Sequence, residues 1–545
     1  MEYILFLIKE GGAFNSRLLA IALLSSMGEG VIVSTIITAA HESGMPNSSR
    51  FFLFLSAFLL YVVAHIHVLN STSKLIEEAI QRVRFRIASQ LCRAELINLE
   101  AVTKTSVQQV VAQDCQTMYD SSREVMFAMA GLGLVVGCLV NMALLSIDVV
   151  KWLFAALSLL TLLFIHRQRT VRSEYDKAAQ EDERFFKIIS DQLDGFKDLW
   201  IHDDKAADLI DNDVRKTTES AAKIKFGVAR KLNAGVVLNQ GFFFALLAFI
   251  VFVVPKFIDP ETIPISKVTS IVIFMMTPLY DFMVAFPALV RASGATRRLL
   301  ELEAKLEAIV SAGPNLPPVQ GIAFESLRCE QLTFYRSPPK DSLGENFRLG
   351  PFNLQLRRGE ILFIVGKNGS GKSTLLHLLC GLYAPSRGRV FVNEQLATRS
   401  QYRALFSIVL QDHHLFPRLL GRARIKRERV NHLRRVLGLE NVTDIRDDGT
   451  IANLNLSRGQ AKRLALIVAE CEDREIFLFD EWAAEQDSAC RRYFYEVYLK
   501  ELKARGKTIV AVTHDDNYLH VADRVLEIHG GQLLELGAAG AEQRL

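Results

Sequence analysis

The sequence predicts an α-helical membrane domain with six spans, followed by an α/β domain of the P-loop class. Six long apolar segments precede residue 295, and the Pro/Gly-rich stretch SAGPNLPPVQG follows them. Beyond that stretch, a short apolar strand leads into the motif GKNGSGKS at 366–373. A chain of 545 residues is too long for a single core. We therefore assign residues 1–295 to the membrane domain, 296–321 to a linker and 322–545 to the α/β domain.

The composition agrees with a membrane protein and gives no sign of a nucleic-acid partner. Half of the residues are hydrophobic, and the excess is concentrated before residue 295, while the formal net charge is only +4. The seven cysteines are scattered without a CxxC pair or metal-ligand spacing, which indicates reduced structural thiols facing a cytosol. The first stretch, MEYILFLIKEGGAFNSR, has an acidic residue at position 2 and no small-residue cleavage site, which favours an amphipathic surface segment over a signal peptide.

Each apolar segment is close to the ~20 residues that a helix needs to cross the hydrocarbon core. The short loops between the segments contain one basic residue, Arg50, whereas the long loops at about 70–124 and 166–234 are rich in Lys and Arg. The positive-inside rule then predicts that the long loops and both termini face the cytoplasm. We expect a multi-pass protein of the cytoplasmic (inner) membrane, with the lipid bilayer as a partner. The six spans are predicted at Leu18–Ala40, Phe51–Leu69, Val125–Leu145, Val149–Ile165, Gly235–Phe257 and Val268–Val290.

The long loops are predicted to be helical. Apolar residues recur there at helical spacing with charges between them, so we expect the spans to continue as helices beyond the bilayer. Near the turning points, LINLEAV at 96–102 and LDGFKDLWI at 193–201 are candidates for short docking helices, with solvated segments as the alternative. Inside the spans, ionisable residues are costly and often functional. We consider Glu29 as part of a polar cavity, with an inter-helix hydrogen bond as the alternative.

The motif at 366–373 is the G-x-x-x-x-G-K-[ST] phosphate loop, in the strand-then-helix context that it requires. Its glycines let the backbone curl so that N–H groups line a concave anion site, and the following helix adds its positive dipole end. Lys372 can reach the β- and γ-phosphates, and the Ser373 hydroxyl can ligate Mg²⁺. We therefore predict a nucleotide site formed by Gly366, Asn368, Gly369, Ser370, Gly371, Lys372, Ser373 and Thr374.

Two further apolar strands end in residues that carry chemistry. Residues 476–479 are followed by Asp480 and Glu481, and residues 508–512 lead to His514. An acidic residue at the carboxyl end of a parallel strand beside a phosphate loop suits Mg²⁺ coordination through water. The adjacent Glu481 could polarise a hydrolytic water. Together with the phosphate loop, the acidic pair Asp480 and Glu481 at the end of an apolar strand predicts nucleotide hydrolysis.

The segment LSRGQ at 456–460 and its helical continuation AKRLALIVAE resemble the signature of ABC transporters, whose middle position is usually Gly where this chain has Arg458. The resemblance extends, in family order, to the Q-loop Gln411, the D-loop Asp487 and the switch histidine His514, and covers most of the α/β domain. It implies an ABC-type nucleotide-binding domain, in which ATP lies between the phosphate loop of one copy and the signature of the other.

The resemblance also implies roles for individual residues. Ser457 and Gly459 would contact the γ-phosphate of ATP held in the phosphate loop of the partner copy, with Gln460 as a third signature residue of that site. Glu481 and His514 would be catalytic, because Glu481 orients the attacking water and His514 senses the γ-phosphate. Mg²⁺ would be held by Ser373, Gln411 and Asp480.

Recognition of adenine departs from the family pattern. The aromatic residue that stacks on the base lies two positions after the Phe of an LTF strand in the family. In this chain Arg336 occupies that position and Tyr335 the one before it. Either the Tyr335 ring reorients and stacks on the adenine base, or the planar guanidinium of Arg336 stacks on it.

The string FLFDEWAAEQDSACRRYFYEVYLKELKARGKTIVAVTHDDNY is similar to the cyclic-peptide and siderophore export branch of the family, which includes the pyoverdine and syringomycin exporters. This resemblance implies a half-transporter that works as a homodimer and uses ATP and Mg²⁺. Its cargo would be a peptide-like small molecule, either a peptide-derived natural product or a siderophore precursor. One alternative is a lipid or lipopolysaccharide flippase that uses the same ATPase domain. A second alternative is a nucleotide-gated membrane regulator, and the intact Glu481 and His514 argue against this second one.

The basic run RLLGRARIKRERVNHLRR at 418–435 does not predict a nucleic-acid partner. It lies between the Q-loop and the signature, where the family has a helical subdomain, and it lacks interleaved aromatics on which bases could stack. A solvated or lipid-facing helix is the better interpretation.

Overall fold

The computed structural model describes residues 2–10, 16–41, 48–99, 104–253, 256, 264–309, 324–336, 347–421 and 425–536, with the backbone alone for 16–19, 41, 104–105, 159–176 and 239. The chain divides into two compact units. Residues 1–94 with 98–310 form the first unit, and residues 95–97 with 311–545 form the second.

The described residues before 310 are helical apart from the short links between helices. Single π-helical turns precede α6 and α10 and follow α10, at Gln109–Asp114, Leu209–Val214 and Phe249–Val253. The helices are α1 (Glu2–Glu10), α2 (Ser16–His41), α3 (Ser48–Arg93), α4 (Leu96–Leu99), α5 (Lys104–Gln108), α6 (Cys115–Leu145), α7 (Ile147–Asp194), α8 (Phe196–Ile201), α9 (Asp203–Asp208), α10 (Arg215–Ala248) and α11 (Ile265–Ile309).

Several of these helices could cross a membrane. Five helical stretches of the described chain are long and apolar enough by length and composition, and they overlap five of the six predicted spans. The remaining predicted span, Val149–Ile165, lies in α7, and the side chains of its residues 159–165 are outside the described residues. Helices α3, α7 and α11 have 46, 48 and 45 residues, so they extend beyond a bilayer as expected. The five stretches are Ala20–Ala40, Ser48–Arg93, Ser106–Leu145, Asp203–Val253 and Ile265–Ile309.

Small residues let α2 and α6 approach each other closely. A Cβ on Gly137 would lie 3.0 Å from the Cα of Gly30, and a Cβ on Gly133 would lie 1.9 Å from the Ser26 side chain. Helices in lipid gain little from hydrophobic association, so close packing between small residues is a main source of their attraction. A larger residue at Gly133 would therefore force the two helices apart.

Ion pairs join the ends of α1, α3, α6 and α11. Arg86 of α3 contacts both Glu10 of α1 and Glu303 of α11. The buried Asp114 carboxylate, just before α6, accepts hydrogen bonds from Arg298 of α11 at 2.9 and 2.5 Å. Because these groups are partly removed from solvent, salt screens them less than it screens surface pairs.

Helix α11 continues to Ile309, so residues 296–309 are helical and do not belong to the linker to which the sequence analysis assigned them. Leu299, Leu302 and Leu306 recur at helical spacing and are buried in the core of the first unit. Burial of this apolar stripe carries the helix beyond the predicted boundary. The rest of the predicted linker, 310–321, lies outside the described residues.

The two predicted docking segments contain short helices, α4 and α8. Residues 95–97 belong to the second unit, because Leu96 and Ile97 pack against its core. In α8, by contrast, Phe196 and Trp200 remain 54% and 77% exposed. Residues 100–103 of the first segment lie outside the described part of the chain.

The second unit combines two β-sheets with short helices. Its helices are α12 (Lys372–Leu379), α13 (Arg399–Arg403), α14 (Arg427–Val436), α15 (Arg458–Glu472), α16 (Ser488–Arg492) and α17 (Leu499–Ala504). Its strands are β1 (Ser326–Arg336), β2 (Phe347–Arg357), β3 (Ile361–Gly366), β4 (Arg387–Val392), β5 (Gln395–Leu396), β6 (Phe406–Val409), β7 (Ile476–Asp480), β8 (Thr508–Val512), β9 (Arg524–His529) and β10 (Gln532–Leu536).

The larger sheet determines where the functional loops lie. A four-stranded antiparallel sheet has the order β2–β1–β4–β5, and a six-stranded sheet has the order β10–β9–β3–β8–β7–β6. In the second sheet all neighbours are parallel except β10, which is antiparallel to β9. Strands β3, β7 and β8 are continuous apolar runs because both of their faces are buried. The parallel direction puts the carboxyl ends of these strands at one edge.

Arginines of the basic run at 418–435 form ion pairs within the second unit. Arg427 and Arg434 of α14 both pair with Asp444. Arg429 pairs with the buried Glu470 of α15, an acceptor that no local spacing in the sequence reveals. Residues 422–424 of the run lie outside the described residues.

Candidate functional site

The phosphate loop begins where β3 ends in the middle of the six-stranded sheet. Gly366, Gly369 and Gly371 have φ values of 152°, 77° and 102°, a backbone region that favours glycine. A Cβ on Gly366 would also lie 2.8 Å from the carbonyl oxygen of Ile528. The loop therefore needs glycine to curl in this way, and α12 begins directly behind it at Lys372.

The Lys372 side chain is folded over the phosphate loop. Its ammonium donates to the carbonyl oxygens of Gly366 and Lys367 at 3.0 and 3.1 Å. Burial lowers the pKa of Lys372, and the charges of Glu481 and Asp480 oppose that shift. The ammonium thus has neutral acceptors nearby, and phosphate oxygens would be stronger acceptors for it.

Three predicted residues meet at the carboxyl edge of β7 and β8, two strands that run parallel to β3. Asp480 is the last residue of β7, and Glu481 follows it with φ of 48°, in the left-handed region. The Oε1 atom of Glu481 lies 3.0 Å from Nε2 of His514, which follows β8. Because both side chains are partly exposed, a water molecule can reach the carboxylate and be oriented by it.

Asp480 is buried next to this pair, with 3% of its surface exposed. Its Oδ1 atom has no hydrogen-bond partner among the described residues, and its carboxyl group contacts the Ser373 hydroxyl. Burial raises the pKa of Asp480 to about 6, and the charge of Glu481 adds to the shift. A buried carboxylate oxygen without a partner, next to a hydroxyl, is a suitable ligand pair for a hard divalent cation.

Gln411 supplies a further oxygen at the same edge. It follows β6, which is the parallel neighbour of β7, and it is exposed. In the described parts of the chain, no group of three or more His, Cys, Asp or Glu could hold a metal. The donor set therefore fits Mg²⁺, which keeps water and phosphate oxygens as ligands, better than a metal enclosed by protein.

The register of β1 and β2 separates the two side chains that were considered for adenine. Tyr335 pairs with Arg348, whose guanidinium lies 5.8 Å over the Tyr335 ring. Arg336 pairs with Phe347, and a Cβ on Gly371 would lie 2.7 Å from the Phe347 ring. Paired residues share a face of the sheet, and consecutive residues point to opposite faces. The face of Arg336 and Phe347 therefore reaches the phosphate loop, and Tyr335 lies on the other face.

Phe347 is a candidate site residue that the sequence analysis missed. It becomes visible only through the pairing of β1 with β2. The residues between these strands, 337–346, lie outside the described residues, and no motif marks Phe347. Its proximity to Gly371 is thus a tertiary contact without a local sequence signal.

The predicted signature residues lie at the start of α15. The Ser457 Oγ accepts from the Gln460 backbone N–H at 3.3 Å, and Gln460 Oε1 accepts from the Ser457 N–H at 3.0 Å. The Gly459 carbonyl accepts from Nε2 of Gln486 at 3.3 Å. Within the described chain, these hydrogen bonds do not reach the phosphate loop. A contact of Ser457 and Gly459 with nucleotide stays a prediction.

Glu29 lies half-buried in α2 of the first unit. One turn earlier, Ser25 Oγ lies 3.4 Å from Nδ1 of His65 in α3. Polar groups thus come together between α2 and α3, and the role of Glu29 in a polar cavity stays a prediction.

Comparisons with known proteins identify the family of the second unit. Residues 349–484 match the model of the family described as ABC transporter. The ATP-binding protein SyrD of Pseudomonas syringae pv. syringae is 38% identical over 300 residues, which are 52% of this chain and 52% of SyrD. The match thus spans about half the length of that relative. The probable sulfate/thiosulfate import ATP-binding protein CysA of Chlorella vulgaris is 30% identical over 203 residues, which are 34% of this chain and 83% of CysA.

One solved structure matches nearly the whole chain. A bacterial Atm1-family ABC exporter with ATP bound superposes with a TM-score of 0.75 at 16% identity, over 96% of this chain and 95% of that one. At this identity the likeness concerns the fold alone, and it confirms a helical membrane region followed by a P-loop ABC ATPase domain. Together with the coverage of CysA and the match to the family model, it shows that this chain belongs to the ABC transporter family and carries that family's ATP-binding domain.

Proposed function

We propose that this chain hydrolyses ATP to drive export across the cytoplasmic membrane, as a homodimer with both termini in the cytoplasm. The observation that carries the proposal is the contact of 3.0 Å between Glu481 and His514, beside Lys372 and Asp480. A nucleotide-gated regulator has no need for such a hydrolytic pair. The helices of the first unit that are apolar enough to span a bilayer supply the passage.

The residues at the carboxyl ends of the parallel strands each have a defined task in this mechanism. The loop N–H groups and Lys372 bind the phosphates, with Lys372 exchanging its carbonyl acceptors for phosphate oxygens. Ser373, Gln411 and Asp480 hold Mg²⁺, which neutralises charge on the phosphates when it is bound. Glu481 orients the attacking water and takes its proton, while His514 holds Glu481 and faces the γ-phosphate.

A second copy completes the site in this proposal. Ser457 is exposed, and none of the hydrogen bonds described above joins Ser457 or Gly459 to the phosphate loop of the same copy, which supports their binding the nucleotide of the other copy. The short helix α8 also leaves Phe196, Trp200 and Ile201 exposed by 54%, 77% and 72%. The first two rings stack with centroids 5.7 Å apart. An exposed aromatic cluster of this kind supports a protein surface that covers it in the assembly.

Arg336 and Phe347 are proposed to hold the adenine base. Phe347→Ala should raise the KM for ATP about tenfold with little change in kcat, because base stacking contributes about 1–3 kcal/mol and is the same in the ground and transition states. Tyr335→Ala is the matched control and should leave the KM within about twofold. Steady-state ATPase kinetics measure both variants. A raised KM in Tyr335→Ala alone would mean that the base lies on the other face.

The cargo class is supported by the similarity of residues 477–518 to the cyclic-peptide and siderophore export branch and by the match to SyrD. It is tested in sealed proteoliposomes that carry the ATP-binding unit outside. With ATP and Mg²⁺, the wild-type chain should accumulate a fluorescent cyclic lipopeptide, whereas Glu481→Gln should not. Movement of labelled phospholipid or lipopolysaccharide instead would assign the flippase activity. ATP turnover with no movement of peptide or lipid would contradict the proposal.

A further inference from the structure

Lys462 is a buried lysine on the second turn of α15, with 2% of its surface exposed. Its ammonium donates to the carbonyl oxygen of Glu481 at 3.2 Å and lies 3.7 Å from Oε2 of Glu485. A buried ammonium is costly unless acceptors surround it. These two acceptors therefore determine where the side chain lies, and both belong to the turn that follows β7.

Lys462 donates to the carbonyl of a residue whose backbone conformation is unfavourable for a residue with a side chain. Glu481 has φ of 48°, which a residue with a side chain keeps only where its surroundings hold it. Its N–H donates to the Val512 carbonyl of β8 at 3.2 Å, and its carbonyl accepts from Lys462 and from the Ala484 N–H at 3.3 Å. One anchor thus comes from the sheet and another from α15. Together they set the direction in which the Glu481 carboxylate leaves the turn.

The same helix holds the rest of the turn as well. The Trp482 indole N–H donates to the Lys462 carbonyl at 2.8 Å. The next residue of α15, Arg463, donates to Gln486 Oε1 at 2.7 Å and to Asp487 Oδ2 at 2.5 Å. Two consecutive residues of α15 therefore hold the segment 481–487 through hydrogen bonds. A displacement of the helix is expected to displace this segment with it.

We propose that Lys462 is a positioning residue for Glu481, and that it transmits the position of the signature helix to the hydrolytic site of the same chain. The inference rests on the proposed function, in which the first turn of α15 meets the nucleotide of the other copy while Glu481 serves the nucleotide of its own copy. When the signature closes on the other nucleotide, α15 becomes fixed, and Lys462 fixes the Glu481 turn with it. Hydrolysis at one site then depends on occupancy of the other site.

Lys462→Met tests this role, because it keeps an unbranched buried side chain and removes the ammonium. In the full chain in lipid nanodiscs, kcat for ATP should fall about tenfold, since a small displacement of a catalytic group costs up to about 10²-fold. The KM and the affinity for a fluorescent ATP analogue should stay within about twofold. The dependence of the rate on ATP concentration should also become less cooperative.

Three further variants make the result decisive. Glu485→Gln removes the counter-charge of the buried ammonium but keeps the bond between the ammonium and the Glu481 carbonyl, so it should lower kcat less than Lys462→Met does. Lys462→Gln replaces the Met variant if that chain does not fold, because its shorter amide cannot span the gap. Glu481→Gln defines the rate without the hydrolytic carboxylate.

The outcomes separate this inference from the proposed function. A wild-type kcat and cooperativity in Lys462→Met, with Glu481→Gln inactive, would overturn the role of Lys462 and leave the ATPase proposal standing. Full activity in Glu481→Gln would overturn the proposed function itself. A parallel loss of kcat, nucleotide affinity and thermal stability in Lys462→Met would make the lysine a structural residue only, which also overturns the inference.

Discussion

Replacing Glu481 by Gln should lower the steady-state rate of ATP hydrolysis by about 10²- to 10³-fold, because an amide cannot accept the proton of the attacking water. The amide keeps the size of the carboxylate and can still contact His514, whose Nε2 lies 3.0 Å away. ATP binding should therefore survive, since Lys372 and the phosphate loop are untouched. With Mg²⁺ and ATP, the variant should accumulate as an ATP-bound dimer that does not reopen. Phosphate release measures the rate, and size-exclusion chromatography in detergent measures the dimer.

An exposed carboxylate of the same unit provides the matched control for this variant. Glu496 pairs with Arg492 on an exposed helix face, and Glu496→Gln should keep a rate close to that of the wild-type chain. If Glu481→Gln hydrolyses ATP as fast as Glu496→Gln, Glu481 does not activate the water. If the rate falls but the variant stays monomeric at saturating ATP, hydrolysis does not involve paired copies, and the assignment of Ser457 and Gly459 to a second nucleotide fails.

The parts of the site that the sequence predicts well are those that local geometry determines. A phosphate loop is one continuous stretch, so its glycines and Lys372 can be identified without knowledge of the fold. Asp480 and His514 are distant in sequence, yet both follow apolar strands. Parallel strands bring their carboxyl ends to one edge of a sheet, so residues that follow such strands lie at the edge where the phosphate loop begins.

Other features depend on contacts that no periodicity reveals. Whether Tyr335 or Arg336 points to the nucleotide depends on the register between β1 and β2, and a change of one residue exchanges the two faces. Lys462 looks like an ordinary position of an amphipathic helix, because its acceptor lies 19 residues away in sequence. Helix α11 runs past the predicted domain boundary at residue 295 for the same reason, because its leucines beyond that boundary pack against distant parts of the first unit.

Glu470 is the residue whose loss should destabilise the second unit most among the variants considered. Its buried carboxylate accepts from Arg505 at 2.6 and 3.0 Å, from Arg429 at 3.2 Å and from the Tyr498 hydroxyl at 2.9 Å. Removing one partner of a buried ion pair costs about 3–5 kcal/mol, because the guanidinium groups lose their counter-charge. For a unit of this size, Glu470→Leu should lower the melting temperature by roughly 10 °C.

Tryptophan fluorescence during thermal unfolding of the full chain can measure this shift. Trp482 is buried in the second unit, whereas Trp152 and Trp200 are 61% and 77% exposed, so the signal follows mainly the second unit. Glu496→Gln is the matched control. Its partner Arg492 lies 3.5 Å away on an exposed helix face, and an exposed pair of this kind contributes only about 0–1 kcal/mol.

The pH dependence of the same difference distinguishes loss of the charge from loss of packing. Burial alone would raise the pKa of Glu470, but the hydrogen bond and charge of Arg505, together with Arg429 and Tyr498, outweigh it and hold the pKa below its usual value of 4.5. A lowered pKa stabilises the fold above the unfolded value, and this stabilisation is lost as the pH falls through the folded value. The gap between wild type and Glu470→Leu should therefore be full at pH 7 and shrink below about pH 4.5. If the difference in melting temperature stays constant down to the lowest pH at which the chain folds, the destabilisation comes from packing. The charge of Glu470 then contributes little to stability.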